Sequence, residues 1–449
     1  MDKRESLLIF VHKNSARKAY VFSHVFSHIL RVPYQITSKL EDFVAYNGPK
    51  FSYIPNRLGH EFHIRDTGFL DEKGIRNDFI PQTDKWDNVT VLFPVKEEAS
   101  MPFDLFSGIF YFLSRYEEYT QQDTDEHGRF GFEKSLAFRL GFLDQPLIEI
   151  WLDLFKKKFE EKFEDYRFPL PSFRFNPIMS ISISHLYKYK GIVRHSGGIV
   201  ESLFTLKWKN LWNRLKFGFF SSKDPYDTFD EIIRLKKTFN HPLTSFFLVG
   251  NYSHFDHNVS PLRPALKKTI VEMADYSDVG LLVSYYASED LQKFKWEKQR
   301  LEEIIHKPVN KTLFHFFKIK IPESYIQLWQ HEIKEDYTMG FARKEGFRAS
   351  TSHPFYFYDL EEENVTDLLV YPVPVTDYQL NFHHPGIQTL PPAQRAEKAW
   401  ETIHYYGNII KRYGGWFLPV FHNAVLSDFE EWSGWTKVYK QTIETFSEK

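Results

Sequence analysis

Proton transfer near neutral pH is the natural work of histidine, and the chain carries 19 histidines beside 59 carboxylates and no cysteine. Disulfides and thiolate-held metals are therefore excluded, and any metal would need imidazole and carboxylate ligands. His315 lies in the apolar run Thr312 to Lys318, and His422, followed by Asn423, closes the run that starts at Trp416. Either could act as an acid or sit as a hydrogen-bonded structural residue. Ser180, Ser182 and Ser184 share one face of an expected strand, with His185 just beyond it. A serine nucleophile needs a base and a sharp turn to present it, and no such elbow motif is there. His24 and His28 have the i,i+4 spacing that can grip a metal, but no carboxylate follows at matching spacing, so surface histidines are expected. His383-His384 reads as an ordinary loop pair before Pro385. Arg115 and Glu118, in Ser114-Arg-Tyr-Glu-Glu-Tyr119, are spaced for an intrahelical ion pair.

Alternating strands and helices must position these groups. Leu7 to Val11 is a continuous apolar run and reads as a buried strand. Ala16 to Leu30 places Phe22, Val25, Phe26, Ile29 and Leu30 at helical spacing, and Phe103 to Tyr119 does the same with Phe106, Ile109, Phe110, Leu113 and Tyr116. Short strands are expected near Tyr34 to Thr37, Phe51 to Ile54 and Thr90 to Phe93. Two prolines in Phe168-Pro-Leu-Pro171-Ser-Phe block helix continuation and mark a boundary between modules 1–167 and 172–449. Beyond it, strands are expected at Ile178 to Ser184, Leu243 to Val249, Val279 to Tyr285, Thr312 to Lys318, Leu368 to Val373 and Trp416 to His422. Thr228-Phe-Asp-Glu231 has the form of a capping box. Helices are expected from Ser288 to Ile305, with Leu291, Phe294, Leu301, Ile304 and Ile305 inward, and from Ala393 to Gly414-Gly415. Repeated strand-helix units of this length predict an α/β fold ending in a (β/α) barrel, complete or partial.

At 449 residues the chain exceeds one ordinary core. Hydrophobic residues at 42% and charged residues at 26% fit a globular composition. A net charge of −2 gives no global pull toward nucleic acid or anionic lipid. No run of about 18 apolar residues is present, so no transmembrane helix is expected. The N-terminal stretch lacks the apolar core of a signal peptide, and a cytoplasmic location is the default expectation. Residues 200–219 combine a stripe of Val200, Leu203, Phe204, Trp208, Leu211, Trp212, Leu215 and Phe219 with Lys207, Lys209, Arg214 and Lys216 off it. Such a helix could rest on a membrane surface or pack across a barrel.

The second half resembles the polysaccharide deacetylase (NodB-homology) superfamily, and more narrowly a Bacteroidetes-type two-domain branch. The resemblance runs through Phe175-Asn-Pro177, Lys223-Asp-Pro-Tyr-Asp-Thr228, Glu335-Asp-Tyr-Thr-Met-Gly340, Gly346-Phe-Arg-Ala349, Pro354-Phe-Tyr-Phe-Tyr-Asp359 and Phe421-His-Asn423. Ser114 to Tyr119, His127-Gly-Arg-Phe130 and Gly141-Phe142 resemble the module that precedes that barrel and hint at contact between Ser114 to Tyr119 and the loop Asp123 to Phe130. The resemblance implies an N-terminal α/β module joined to a deacetylase-like barrel. It also implies a metal-dependent hydrolase that removes acetyl groups from amino sugars, with an Asp-x-Asp pair on the first barrel strand. A later strand would supply a histidine to the metal, and the last strand a histidine acid.

This sequence departs from that pattern. Ser180 and Ser182 stand for the aspartates, Leu282 for the metal-binding histidine, Leu313 for an arginine, and Ala424 for a glutamate after His422-Asn423. Hydroxyls bring no charge to a cation, and leucine brings no donor atom. The expectation is a barrel with no metal and no cofactor, acting as a glycan- or partner-binding protein in cell-surface polysaccharide metabolism. The alternatives are an active deacetylase with a rebuilt site using His315, His422 and Asp359, where zinc or another divalent metal would return, and a scaffold without sugar affinity. Tyr356, Tyr358, Asn423, Trp432 and Trp435 are the expected ligand-binding residues, because they lie in or beside the matched motifs.

Overall fold

The computed structural model describes residues 5–77, 79–96, 99–120, 123–182, 224–258 and 264–447. Ser184, His185 and the amphipathic stretch 200–219 lie outside the described residues.

Both faces of the first sheet are covered, which is why β1 (Leu7–Phe10) is apolar without alternation. It lies between β2 (Tyr34–Thr37) and β3 (Lys50–Ile54), and β4 (Phe62–Arg65) extends the sheet, all in parallel. Leu7 and Ile9 enter the main core, while Leu8 and Phe10 pack with Phe43 and Ile54 on the other face. The helical run from Ala16 changes character partway: Ala16–Phe22 is α-helical and Ser23–Ile29 continues as a π-helix. The helix expected from Phe103 to Tyr119 is two helices, Leu105–Leu113 and Tyr116–Thr120, broken where Arg115 takes a left-handed φ of 53°. A two-stranded ribbon, β5 (Thr83–Trp86) with β6 (Val89–Leu92), completes this module.

At the proline-rich connector, the Phe168 ring still packs on Phe155 and Phe159, whereas the Phe173 ring packs on Phe446. A short pair, β7 (Arg174–Phe175) with β15 (Trp416–Phe417), then leads into the barrel. Its strands are β8 (Ile178–Ile181), β9 (Thr244–Phe247), β10 (Asp278–Val283), β11 (Lys311–Phe314), β12 (Glu335–Met339), β14 (Asn364–Pro372) and β16 (Val420–His422). From β8 to β14 each pairs in parallel with the next, and β16 pairs in parallel with β8. Past β14 the chain meets β16 through one parallel bridge, Thr376 with Val420, so the sheet curls into a barrel with a thin seam. Inside it lie Ile178, Phe246, Leu282, Leu313, Tyr337, Tyr371 and Val420. The run expected as one strand from Trp416 to His422 is thus two short strands serving different sheets. β13 (Phe355–Asp359) hangs on β14 as an antiparallel outer strand.

That outer hairpin is one of the contacts with the first module. The Tyr20 hydroxyl donates to the Tyr356 carbonyl at 2.7 Å, and Arg17 reaches Glu363 through Nε at 3.0 Å. The two modules share one continuous apolar core. Three side-chain expectations need correction. Leu291 is not inward but 38% exposed, because the helix starts at Leu291 itself. His24 is not on the surface: it is buried near Phe355, and burial together with His353 and His28 holds it well below the ordinary imidazole range. Thr228 does not close a capping box, since its hydroxyl donates to the Asn423 carbonyl at 3.0 Å. No helix among the described residues is long and apolar enough to cross a membrane.

Candidate functional site

Alternation along a parallel barrel strand sends every second side chain inward. On β8 these are Ile178 and Ser180, with Ser182 just past the strand; on β16 they are Val420 and His422, in register with Ile178 and Ser180. Leu282 on β10 is likewise in register with Leu313 on β11. At the C-terminal ends of the strands these residues open onto one cavity of about 470 Å³. Ser180, Ser182, Leu282, Leu313, His315, His422, Asn423, Ala424 and Trp432 all line it.

Four of the proposed residues do not. Tyr358 is 1% exposed and packs on Tyr20 and Phe110, between the modules. Tyr356 sits beside it, its ring 5.7 Å from His28. Trp435 is fully buried at the start of the last helix, against Trp432. Asp359 is 5% exposed and accepts the backbone N–H groups of Glu361 and Glu362, tightening the turn from β13 to β14. Outer-strand and helix positions carry Tyr358, Trp435 and Asp359 into the core, and Tyr356 stays half-buried on the outer strand, away from the cavity lining. Of the rebuilt-site residues, His315 and His422 remain.

Each of those histidines is held by a buried carboxylate. His315 donates through Nδ1 to Asp256 at 2.9 Å, and Asp256 also accepts the Tyr285 N–H at 3.0 Å and the Ser253 hydroxyl at 2.9 Å. His422 donates through Nδ1 to Asp377 at 2.7 Å, and its own backbone N–H reaches the same carboxylate at 2.7 Å. Both bonds fix the Nδ1–H tautomer and leave Nε2 as the nitrogen for the cavity. Burial opposes a charge on His422, but the Asp377 carboxylate outweighs it by charge and hydrogen bond, so its pKa is raised. Burial would raise Asp256, yet His315 and the surrounding donors hold it below the usual carboxylate range.

A folded-state pKa raised above the unfolded one means stability that is present at low pH and lost as pH rises through the folded value. Asp377→Asn is therefore expected to lower the His422 midpoint in an NMR titration. The stability advantage of the unaltered chain should be largest below about pH 6.5, the ordinary imidazole value, and shrink above it. An unmoved midpoint would break the assignment of Asp377 as the cause.

As site residues Asp256 and Asp377, behind the lining, escaped the sequence reading, as did the lining residues His127, Arg129, His254, His257, Arg343, Tyr378 and His383. A signal existed for some of them: His254-Phe-Asp256-His257 places three chemistry-bearing residues in four positions just after a buried strand. His383, whose sequence reads as an ordinary loop, ends a short π-helix, Gln379–His383, at the cavity wall. His127 comes from the first module. Its Nδ1 lies 3.0 Å from the Tyr285 hydroxyl, and its ring packs on Phe255 and Phe316. Arg129 donates to the Phe316 carbonyl at 2.7 Å, beside two residues, Phe316 and Phe317, that hold left-handed φ values of 61° and 52°. The turn holding His127 and Arg129 thus braces the loop that follows His315. Ser114 to Tyr119 finds its barrel partner elsewhere: Glu118 receives Arg348.

The side chains at the positions that the resemblance assigns to a metal do not fit a divalent cation. Ser180 and Ser182 offer neutral oxygens, Leu282 and Leu313 offer none. Among the described residues no group of three His, Asp or Glu side chains is arranged to hold a metal.

An α/β module followed by a curled (β/α) barrel sheet is the class of protein that this fold defines. Residues 7–164 match a family of unknown function (DUF7033). No curated protein matches the chain. Among solved structures it is similar to a Mycobacterium smegmatis protein assigned as a polysaccharide deacetylase, at 12% identity and a TM-score of 0.39. It is also similar to Puue allantoinase, at 10% identity and a TM-score of 0.34. Each likeness covers 61% of this chain and 84% of the other.

Proposed function

We propose that the chain is a deacetylase-like protein that binds an amino-sugar glycan in its barrel cavity without metal-dependent hydrolysis. One observation carries the reading: the cavity wall presents Ser180, Ser182 and Leu282 where the deacetylase pattern asks for two carboxylates and an imidazole. A bound cation would keep most of its water there, and its water would not become the acidic nucleophile that hydrolysis needs. What remains suits binding. Rings of Phe255, Phe316, Tyr378 and Trp432 offer apolar faces, while Ser180, Asn423 and two oriented imidazoles offer hydrogen bonds.

Elemental analysis of the purified chain is expected to find no stoichiometric zinc, and a chromogenic acetyl ester should not be turned over. Titration with oligomers of N-acetylglucosamine should show saturable binding. Stoichiometric zinc with turnover overturns the proposal, and an absence of any sugar affinity favours a scaffold. The His315–Asp256 and His422–Asp377 pairs favour a second reading, acid–base chemistry without a metal. Turnover that survives a chelator would select it.

A further inference from the structure

The cavity wall bears no Asp or Glu among the described residues, although the chain has 59 of them. It bears two arginines, Arg129 and Arg343, and His127 and His383 near them. Their acidic partners stand outside the lining. Arg129 is bound by Asp125 at 2.7 Å, and Arg343 pairs with Glu126. The four basic groups form one wall, two from the first module and two from the barrel. The pKa shifts agree with that grouping: burial and then the neighbouring arginines depress both His127 and His383, so each donates an N–H while neutral.

We infer that this composite wall, acting through Arg343, recognises an anionic group, a carboxylate or a phosphate, on the saccharide held in the cavity. The inference rests on the saccharide-binding reading and adds the charge of the ligand. Arg129 is committed to the Phe316 carbonyl and Asp125, which leaves it a bracing role. Arg343 is the free hand. Its ion-pair partner among the described residues, Glu126, is 56% exposed, and an exposed ion pair contributes little in water. A guanidinium has five donors, so it can take a second anion in a forked geometry while touching the first. A neutral sugar would leave this donor-rich wall to water.

The test is calorimetric titration of the full chain with glucuronate, glucose 6-phosphate, glucose and the N-acetylglucosamine trimer. One of the two anionic sugars should bind about tenfold more tightly than glucose, and which one does so assigns carboxylate or phosphate. Arg343→Gln, at an exposed position where the melting temperature should not move, is expected to weaken that anionic sugar by about tenfold. Anionic sugars no tighter than glucose, with the trimer still bound, would overturn this inference and leave the saccharide cavity standing. If none of the four binds, both readings fall.

Discussion

Glu118→Ala is expected to destabilise the chain by about 3–5 kcal/mol, seen as a lower urea midpoint, because it takes a shared carboxylate from two buried guanidinium groups. Arg348 from the barrel grips Glu118 through Nε at 2.9 Å and a second nitrogen at 2.6 Å, and Arg115 adds a bond at 2.8 Å. All three side chains are at most 3% exposed. Arg115 keeps Glu117 as a second partner, and Arg348 keeps the Gly340 carbonyl, so neither charge is wholly deserted. What each loses is the carboxylate that offsets its desolvation. Glu118→Gln, which keeps the shape and an acceptor, should cost less than the alanine. A loss below about 1 kcal/mol, the range of exposed pairs, would mean that water reaches this junction.

Ser180→Asp, Ser182→Asp and Leu282→His made together are expected to give a protein that retains about one zinc ion through desalting. The residues lie on β8, or just past it, and on β10, with β9 between them, and all three face the same cavity. Two carboxylates and an imidazole there would replace two hydroxyls and an alkyl group as donors. Without zinc the same charges would be costly at sites as enclosed as Ser180 and Leu282, which are 2% and 1% exposed. The triple variant should therefore melt below the unaltered chain in a chelator and recover when zinc is added, since a ligand that binds only the folded form stabilises it. A variant that folds and melts alike with and without zinc would show that the three positions do not converge as metal ligands.

Much of the architecture was legible along the chain because its signals act over a few residues. An unbroken apolar run foretold the buried strand β1, and Gly414, at a φ of 76°, ends the long helix where the glycine pair suggested. Where local pattern and tertiary contact compete, the contact prevails. Arg115 breaks a helix whose apolar spacing continues through it, in order to reach Glu117 and Glu118 at the module junction. Tyr358, Tyr356 and Trp435 look like ring platforms in their motifs, yet packing between elements distant in sequence buries Tyr358 and Trp435 and lays Tyr356 against His28. Spacing alone could not foresee that, because it says which residues share a face and not what that face meets.

By itself the sequence determined the chemical poverty of the presumed metal positions, since no fold can make leucine donate an electron pair or serine carry a carboxylate's charge. It also showed the alternation of strands and helices, though not the strands β4, β5, β12 and β13. Only the tertiary structure decided that Ser180, Leu282, Leu313 and His422 share one cavity, that Asp256 and Asp377 orient its two histidines, and that the first module lends it His127. Those are meetings of residues up to hundreds of positions apart, set by strand register and the closing of the sheet, which no short stretch of chain encodes.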